Sequence, residues 1–331
     1  MEKIKNFGNS TKEAVLSQYT INGLSRIVES QKAIPSLAKN KPIVEQIEST
    51  LPKLPTKHEF YRGDATNMTF LRPKSVHLIL TSPPYWILKK YNESEGQLGA
   101  ITDYDAFLLQ LNKVWSKCFD ALVPGGRLIC VVGDVCLSRR RNKGRHTVVP
   151  LHAAIQEQCR LVGYDNLAPI IWHKIANANF EASRGTSFLG KPYEPNAVIK
   201  NDIEYILMER KPGGYRSPSF TERVYSVISE ENHKKWFNQI WTGLNGASTR
   251  NHPAPYPIEL ATRLIRMFSF VGDTVLDPFS GTGTTSIASA QSGRNSIGVE
   301  VDDNYLDYAI SRFKRENRKN FTNYEISINK L

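Results

Sequence analysis

Long hydrophobic runs are missing from this chain. No stretch of its 331 residues approaches the roughly 18 consecutive apolar positions that a bilayer-spanning helix needs. The start, Met1-Glu2-Lys3-Ile4-Lys5, is not followed by the apolar core of a secretory signal, so a cytoplasmic protein is expected. Cysteine is scarce: Cys118, Cys130, Cys136 and Cys159 show neither a disulfide-dense pattern nor Cys-x-x-Cys zinc spacing. They read as buried free thiols, and no metal site is expected. Acidic residues are the short side of the charge balance, 32 against 43 basic ones, for a net charge of +11. That excess suits a polyanionic partner such as nucleic acid without identifying one.

Hydrophobic residues at 40% and charged residues at 23% are close to globular averages, which excludes wholesale disorder and collagen-like or coiled-coil repeats. Residues 1–57 carry loosely helical apolar spacing over Thr11–Glu29 and Lys41–Leu51 and close on Leu51-Pro52-Lys53-Leu54-Pro55, a linker signature. This reads as a helical extension that packs on the core, pairs subunits or touches DNA. From His58 onward short apolar runs alternate with amphipathic stretches, as in an α/β protein. Strands are expected at Glu59–Arg62, Val76–Thr81, Arg127–Gly133, Leu167–Trp172, Ile203–Glu209, Thr274–Asp277 and Ser296–Glu300. Helices are expected at Tyr104–Leu122, Val149–Leu161, Pro257–Phe268, Gly283–Ser292 and Asp303–Arg315. Strands this short and apolar belong in a mostly parallel sheet covered by helices. Between about 176 and 250 the pattern loosens, and only Ile203–Arg210 there reads as a core strand.

Thr274-Val275-Leu276 runs into Asp277-Pro278-Phe279-Ser280-Gly281-Thr282-Gly283-Thr284-Thr285, and an Ala-rich helix follows. The two glycines permit the turn and a close ligand approach, and the helix start offers free N–H groups. Glu300 ends the next strand, where a carboxylate can accept from both hydroxyls of a ribose. By spacing alone this is also compatible with a dinucleotide fingerprint, and hence with a nucleotide-linked oxidoreductase. Two features favour S-adenosylmethionine: Asp277-Pro278 places a carboxylate where an ammonium group could bind and a diphosphate would be unwelcome, and Phe279 can face the ligand.

A second turn ends the Val76–Leu80 run at Thr81-Ser82-Pro83-Pro84-Tyr85-Trp86. Consecutive prolines lack the N–H groups that a strand ladder needs, so the chain must leave the sheet there with its carbonyls free. In open α/β sheets that edge is where ligands bind. Methylating an exocyclic base amine requires acceptors for its hydrogens, which frees a lone pair otherwise conjugated into the ring. Ser82 Oγ and the Pro83 carbonyl can supply them, and Tyr85 offers a flat face for an extruded base.

Together the two turns resemble the DNA amino-methyltransferases, which use S-adenosylmethionine to methylate cytosine N4 or adenine N6. Gly63-Asp64, Pro124-Gly125-Gly126, Ile171-Trp172-His173-Lys174, Glu204-Tyr205-Ile206-Leu207 and His252-Pro253 with Pro257 agree, so the resemblance covers about residues 58–318. The catalytic motif precedes the cofactor motif, which is similar to the β-type motif order. It implies a Rossmann-like α/β fold with a permuted sheet. On this reading 58–175 is the catalytic half, 176–250 a target-recognition region, 251–318 the cofactor half and 319–331 a C-terminal tail. The resemblance implies that Asp277, Pro278, Phe279, Gly281, Gly283 and Thr284 shape the cofactor site and that Glu300 holds the ribose. Asp64 would lie near the adenine, and His252 with Pro253 beside the methionine tail. Ser82, Pro83, Pro84 and Tyr85 would form the catalytic clamp. Serine at the head of that motif resembles the cytosine-N4 branch, with adenine N6 the alternative.

Double-stranded DNA is then the expected partner, along with a cognate restriction endonuclease if the enzyme belongs to a restriction-modification pair; the chain would act as a monomer or homodimer. Phosphate contacts are expected from Lys89 and Lys90 after the catalytic turn and from Arg139, Arg140, Arg141, Lys143 and Arg145 after the strand ending near Gly133. Base readout is expected from 176–250, where Asn177, Asn179, Arg184, Lys191, Asn196, Arg216 and Arg223 carry donors.

Overall fold

The computed structural model describes residues 9–19, 21, 28–88, 94, 96–140, 142–174, 201–246, 256–320 and 322–331. Among the described residues three short helices come first: α1 (Asn9–Leu16), α2 (Ala33–Lys39) and α3 (Lys41–Thr50). Asn40 separates the last two. Its side chain accepts from Ile43 N at 3.3 Å, and Pro42 occupies the first turn of α3, where a missing N–H does no harm. Helix α1 ends at Leu16, where Gln18 and Tyr19 close tighter i→i−3 bonds, and residues 20 and 22–27 of the Thr11–Glu29 expectation lie outside the described residues. The Tyr225 hydroxyl then caps the carbonyls of Leu16 and Tyr19.

The rest of the chain runs β1 (Thr56–Arg62), β2 (Val76–Thr81), α4 (Tyr104–Ala121), β3 (Leu122–Val132), β4 (Val135–Leu137), β5 (Thr147–Val149), α5 (Leu151–Val162), β6 (Asp165–His173) and β7 (Ile203–Arg210). It continues through α6 (Phe220–Tyr225), α7 (Glu230–Trp236), β8 (Ile240–Trp241), α8 (Ile258–Phe268), β9 (Thr274–Asp277), α9 (Thr284–Gln291), β10 (Asn295–Glu300), α10 (Asp303–Lys319) and β11 (Tyr324–Lys330). Among the described residues nine strands form one sheet in the order β11-β1-β10-β9-β2-β3-β7-β6-β8. Only β7 runs against the rest, pairing antiparallel with β3 and β6. This bears out the mostly parallel, permuted Rossmann-like expectation.

Alternation along the strands sorts the core into two layers. Ile79, Leu128, Cys130, Val132 and Leu207 face α4 and α5, meeting Phe107, Leu111, Trp115, Ile155 and Cys159. Leu78, Leu80, Ile129, Val131 and Ile206 face α8, meeting Leu260, Ala261, Leu264 and Ile265. Three cysteines are buried, as expected, while Cys136 on β4 is only partly so. Burial pushes the thiol pKa values of Cys118, Cys130 and Cys159 well up, so they are inert.

Several elements depart from the sequence reading, among them the last strand and two helices. The tail 319–331 supplies β11, an edge strand parallel to β1, because Tyr324-Glu325-Ile326-Ser327-Ile328 alternates in step with the pleat. The loose stretch after 210 holds helices α6 and α7, each opened by a serine cap. Ser219 and Glu222 form a reciprocal capping box, and Ser229 accepts from Asn232 N at 3.0 Å. Helix α6 packs Val224 and Tyr225 on Leu16, Leu37 and Ile47, so the N-terminal extension is seated on the core.

Candidate active site

The carboxyl ends of the central strands converge on one cleft. Its walls include Asp64, Ser82, Pro84, Gln97, Pro278, Phe279, Gly281, Glu300 and Tyr305. Strand β2 delivers the catalytic turn. Past Thr81 the two prolines end the ladder, Leu88 N closes onto Tyr85 O at 2.9 Å, and Trp86 takes a φ of +45°, a left-handed conformation that bulky side chains rarely adopt. Its indole is anchored edge-on to Tyr104, 5.0 Å between centroids. Ser82 Oγ donates to the Tyr85 hydroxyl at 3.3 Å, which in turn lies 3.5 Å from the Val131 carbonyl. Pro83 is buried beside them, and Tyr85 is only 5% exposed, its ring against Gly133.

The glycine loop leaves β9 at Asp277 and enters α9 at Gly283. Gly281 (φ +48°) and Gly283 (φ +75°) both lie in the left-handed region. A Cβ at Gly283 would sit 3.1 Å from that of Ala309, a tight contact that adds to the preference for glycine. Ser280 N donates to Val299 O at 2.9 Å and Gly283 N to Ser280 O at 2.8 Å, which folds the loop back toward β10. Phe279 meets Trp115 edge-on at 6.3 Å and presents itself to the cleft.

Glu300, at the end of β10, is 8% exposed and lines the cleft. Its carboxylate accepts from Gly281 N at 2.8 Å and from Asp302 N at 2.9 Å. Burial pushes its pKa up to about 7 against the pull of these two bonds. Each oxygen keeps a lone pair for the cleft. Asp64 caps the turn that follows β1 through Thr66 N, at 2.8 Å, and lines the cleft from the strand next to β10, where Gly63 N donates to Glu300 O at 2.9 Å.

Asp277 has a different task from the ammonium ligand its sequence position suggested. It is buried and absent from the cleft wall. Its Oδ1 accepts from Thr81 Oγ1 at 2.7 Å and Phe279 N at 3.1 Å, and its Oδ2 from Thr285 Oγ1 at 2.6 Å and the Tyr256 hydroxyl at 3.1 Å. Burial raises its pKa while these four donors oppose the rise. Four acceptor positions are thus filled from within the chain, and Asp277 ties β2, the loop and α9 together. Gly283 and Thr284 also lie behind the loop, where Arg312 Nη1 braces Thr282 O at 2.9 Å, Thr282 Oγ1 at 3.1 Å and Thr284 Oγ1 at 2.9 Å. Arg312, Tyr256 and Gln97 carried no signal in the sequence reading, since each stands outside the two motifs and acts through tertiary contact.

Of the basic candidates, Arg139, Arg140, Lys143 and Arg145 are exposed on the loop joining β4 and β5, just beyond the carboxyl end of β3. Asn142 Nδ2 staples that loop to Thr147 Oγ1 at 2.7 Å. Arg216 does not join them. It makes a two-pronged bond to buried Asp273, at 2.7 and 2.6 Å, just ahead of β9 and hence at the opposite, amino edge of the sheet. Arg223 likewise pairs with Glu29. Lys89, Lys90, Arg141, Asn177, Asn179, Arg184, Lys191, Asn196, His252 and Pro253 lie outside the described residues.

Among the described residues no lysine or arginine lines the cleft, and the two carboxylates that do would repel a diphosphate. That argues against the dinucleotide alternative and fits a cofactor without phosphate that carries a cationic sulfonium. A permuted Rossmann-like sheet with this cleft beside a Ser-Pro-Pro-Tyr turn defines an S-adenosylmethionine-dependent methyltransferase. Comparison with known proteins gives the family. Residues 76–311 match the N6/N4 methyltransferase family model, described as DNA methylase, and the chain belongs to that family. The type II methyltransferase M.MthZI of Methanothermobacter thermautotrophicus is 36% identical, covering 78% of this chain and 76% of that one. M.MjaI of Methanocaldococcus jannaschii, also a type II methyltransferase, is 35% identical over 75% of this chain and 88% of its own. A Thermus thermophilus protein assigned to the DNA modification methylases, crystallised with S-adenosyl-L-methionine, is 50% identical, with a TM-score of 0.67, covering 81% of this chain and 97% of that one.

Proposed function

We propose that this DNA methyltransferase acts on the exocyclic N4 amine of cytosine in a base extruded from double-stranded DNA. The observation that carries the reading is Ser82, at the head of the Pro-Pro-Tyr turn, with its side chain on the cleft wall and its hydroxyl bonded to Tyr85. S-adenosylmethionine, when bound, supplies a methyl group on a cationic sulfur. Ser82 Oγ and the Pro83 carbonyl accept hydrogen bonds from the amine, which directs the nitrogen lone pair out of the ring plane. Tyr85 supports the base, Glu300 holds the cofactor ribose, and Asp64 flanks the adenine. Positioning accounts for most of the rate, and no covalent enzyme intermediate is needed.

Flipping the base costs a few kcal/mol, and contacts from the exposed Arg139, Arg140, Lys143 and Arg145 to backbone phosphates help to offset it. The type II relatives support a place in a restriction-modification pair beside a cognate endonuclease, in the cytoplasm, with the chain acting as a monomer or homodimer. The test is incubation with unmethylated bacterial DNA and S-adenosylmethionine, digestion to nucleosides and mass spectrometry. N4-methylcytosine is expected; N6-methyladenine would overturn the base assignment while keeping the chemistry.

A further inference from the structure

At the amino edge of the sheet, away from the cofactor cleft, lies a cavity of about 730 Å³, within the range of small-molecule sites. Strand β3 contributes Arg127 to it, α2 contributes Lys39, and the end of α8 contributes Phe268. Arg127 Nε is buried without a hydrogen-bond partner, and the guanidinium lies 4.9 Å over the Phe268 ring. In the register of the sheet Arg127 stands opposite Arg210, which stands opposite Asp165. Residues directly opposite share a face, so this row across three strands holds two cations and one anion. Arg210 takes the anion, at 2.8 Å. The one carboxylate among the residues that line the cavity, Glu230, pairs with Lys234 at 3.4 Å.

The other arginines of the wall are engaged: Arg216 by Asp273, Arg266 by Glu48 and Arg223 by Glu29. Arg127 is therefore a half-buried cation with no acceptor among the described residues, and such a group calls for an anion from outside the chain. A guanidinium fork matches a phosphate, and Tyr215, 83% exposed at the rim, offers a flat ring face beside it.

We propose that this cavity is a second ligand site that takes a phosphate carried on a planar body, a nucleoside monophosphate being the simplest case, with Arg127 on the phosphate. The proposal does not rest on which base the enzyme methylates. The test is calorimetric titration of the full chain with AMP, and separately with inorganic phosphate, in saturating S-adenosylhomocysteine so that the cofactor cleft is filled. One AMP site is expected, tighter than phosphate. Arg127→Met, which keeps the packing on Phe268, should weaken AMP by about tenfold or more, the worth of a charge-assisted bond. Tyr215→Ala, on the exposed rim where folding is not at stake, should weaken AMP and leave phosphate unchanged. No AMP binding in the millimolar range, competition with S-adenosylhomocysteine, phosphate binding as tight as AMP, or unchanged AMP affinity in either variant would each overturn the proposal.

Discussion

The Thr81 hydroxyl donates to the Asp277 carboxylate at 2.7 Å, across the junction of β2 and β9. Thr81 is the last residue before the catalytic turn and Asp277 the first of the glycine loop, so one hydrogen bond couples the two functional motifs. Thr81→Val keeps the shape and removes a donor from a buried carboxylate. A loss of about 1–3 kcal/mol of stability is expected, read as a lower denaturation midpoint, together with weaker cofactor binding. An unchanged midpoint would mean that the other three donors suffice.

Glu300 should make cofactor affinity depend on pH. With a pKa of about 7 it is mostly protonated at pH 6 and mostly ionised at pH 8. The ionised carboxylate is the better acceptor for two ribose hydroxyls, so affinity rises with pH. Going from pH 6 to pH 8 should tighten binding by about tenfold, the ratio of ionised fractions for such a group. Isothermal titration with S-adenosylhomocysteine reads this directly. Glu300→Gln should flatten the profile, and Glu300→Ala should weaken binding at every pH.

Tyr85→Ala should leave cofactor binding intact and reduce turnover by on the order of a hundredfold or more, because the extruded base loses its support. Tyr85→Phe keeps the buried ring and removes the hydroxyl that accepts from Ser82 and donates to the Val131 carbonyl. It should retain the fold and lose part of the rate. Single-turnover methylation beside a cofactor titration separates the two effects.

Arg139 and Arg216 should behave oppositely. Replacing Arg139 with alanine is expected to lower the salt slope of DNA binding by roughly 0.9 per phosphate that is no longer neutralised, with stability unchanged. Arg216→Ala should cost on the order of 3 kcal/mol, since it strips a buried carboxylate of its best partner, and leave the slope alone. Salt titrations and thermal melts on both variants decide the point.

The central sheet was largely legible because its strands are short apolar runs bounded by turn residues. Val76–Thr81 and Thr274–Asp277 fall where the sequence places them. Strand β11 was not, since an exposed edge strand shows only weak alternation after a long charged helix. The β4/β5 hairpin was hidden because each strand is only three residues long and the basic loop between them carries no strand pattern. At the site, Ser82, Asp64, Phe279 and Glu300, drawn from separate motifs, line one cleft. The role of Asp277 could not be read: its partner Tyr256 lies 21 residues upstream and Thr81 196 residues upstream, and only the folded sheet brings them together. Arg216 misled for the same reason, because a basic residue in a loose stretch does not reveal the buried carboxylate that claims it.

Strand β2 lies directly beside β9, and β9 beside β10. The Ser-Pro-Pro-Tyr turn, the glycine loop and Glu300 thus hang from three adjacent rungs, each about 4.8 Å from the next by the geometry of backbone pairing. The sheet is a ruler. On the proposed reading, methyl donor and acceptor sit at a separation set by peptide hydrogen bonds, so loops that contact DNA can diverge without changing the reach of the chemistry.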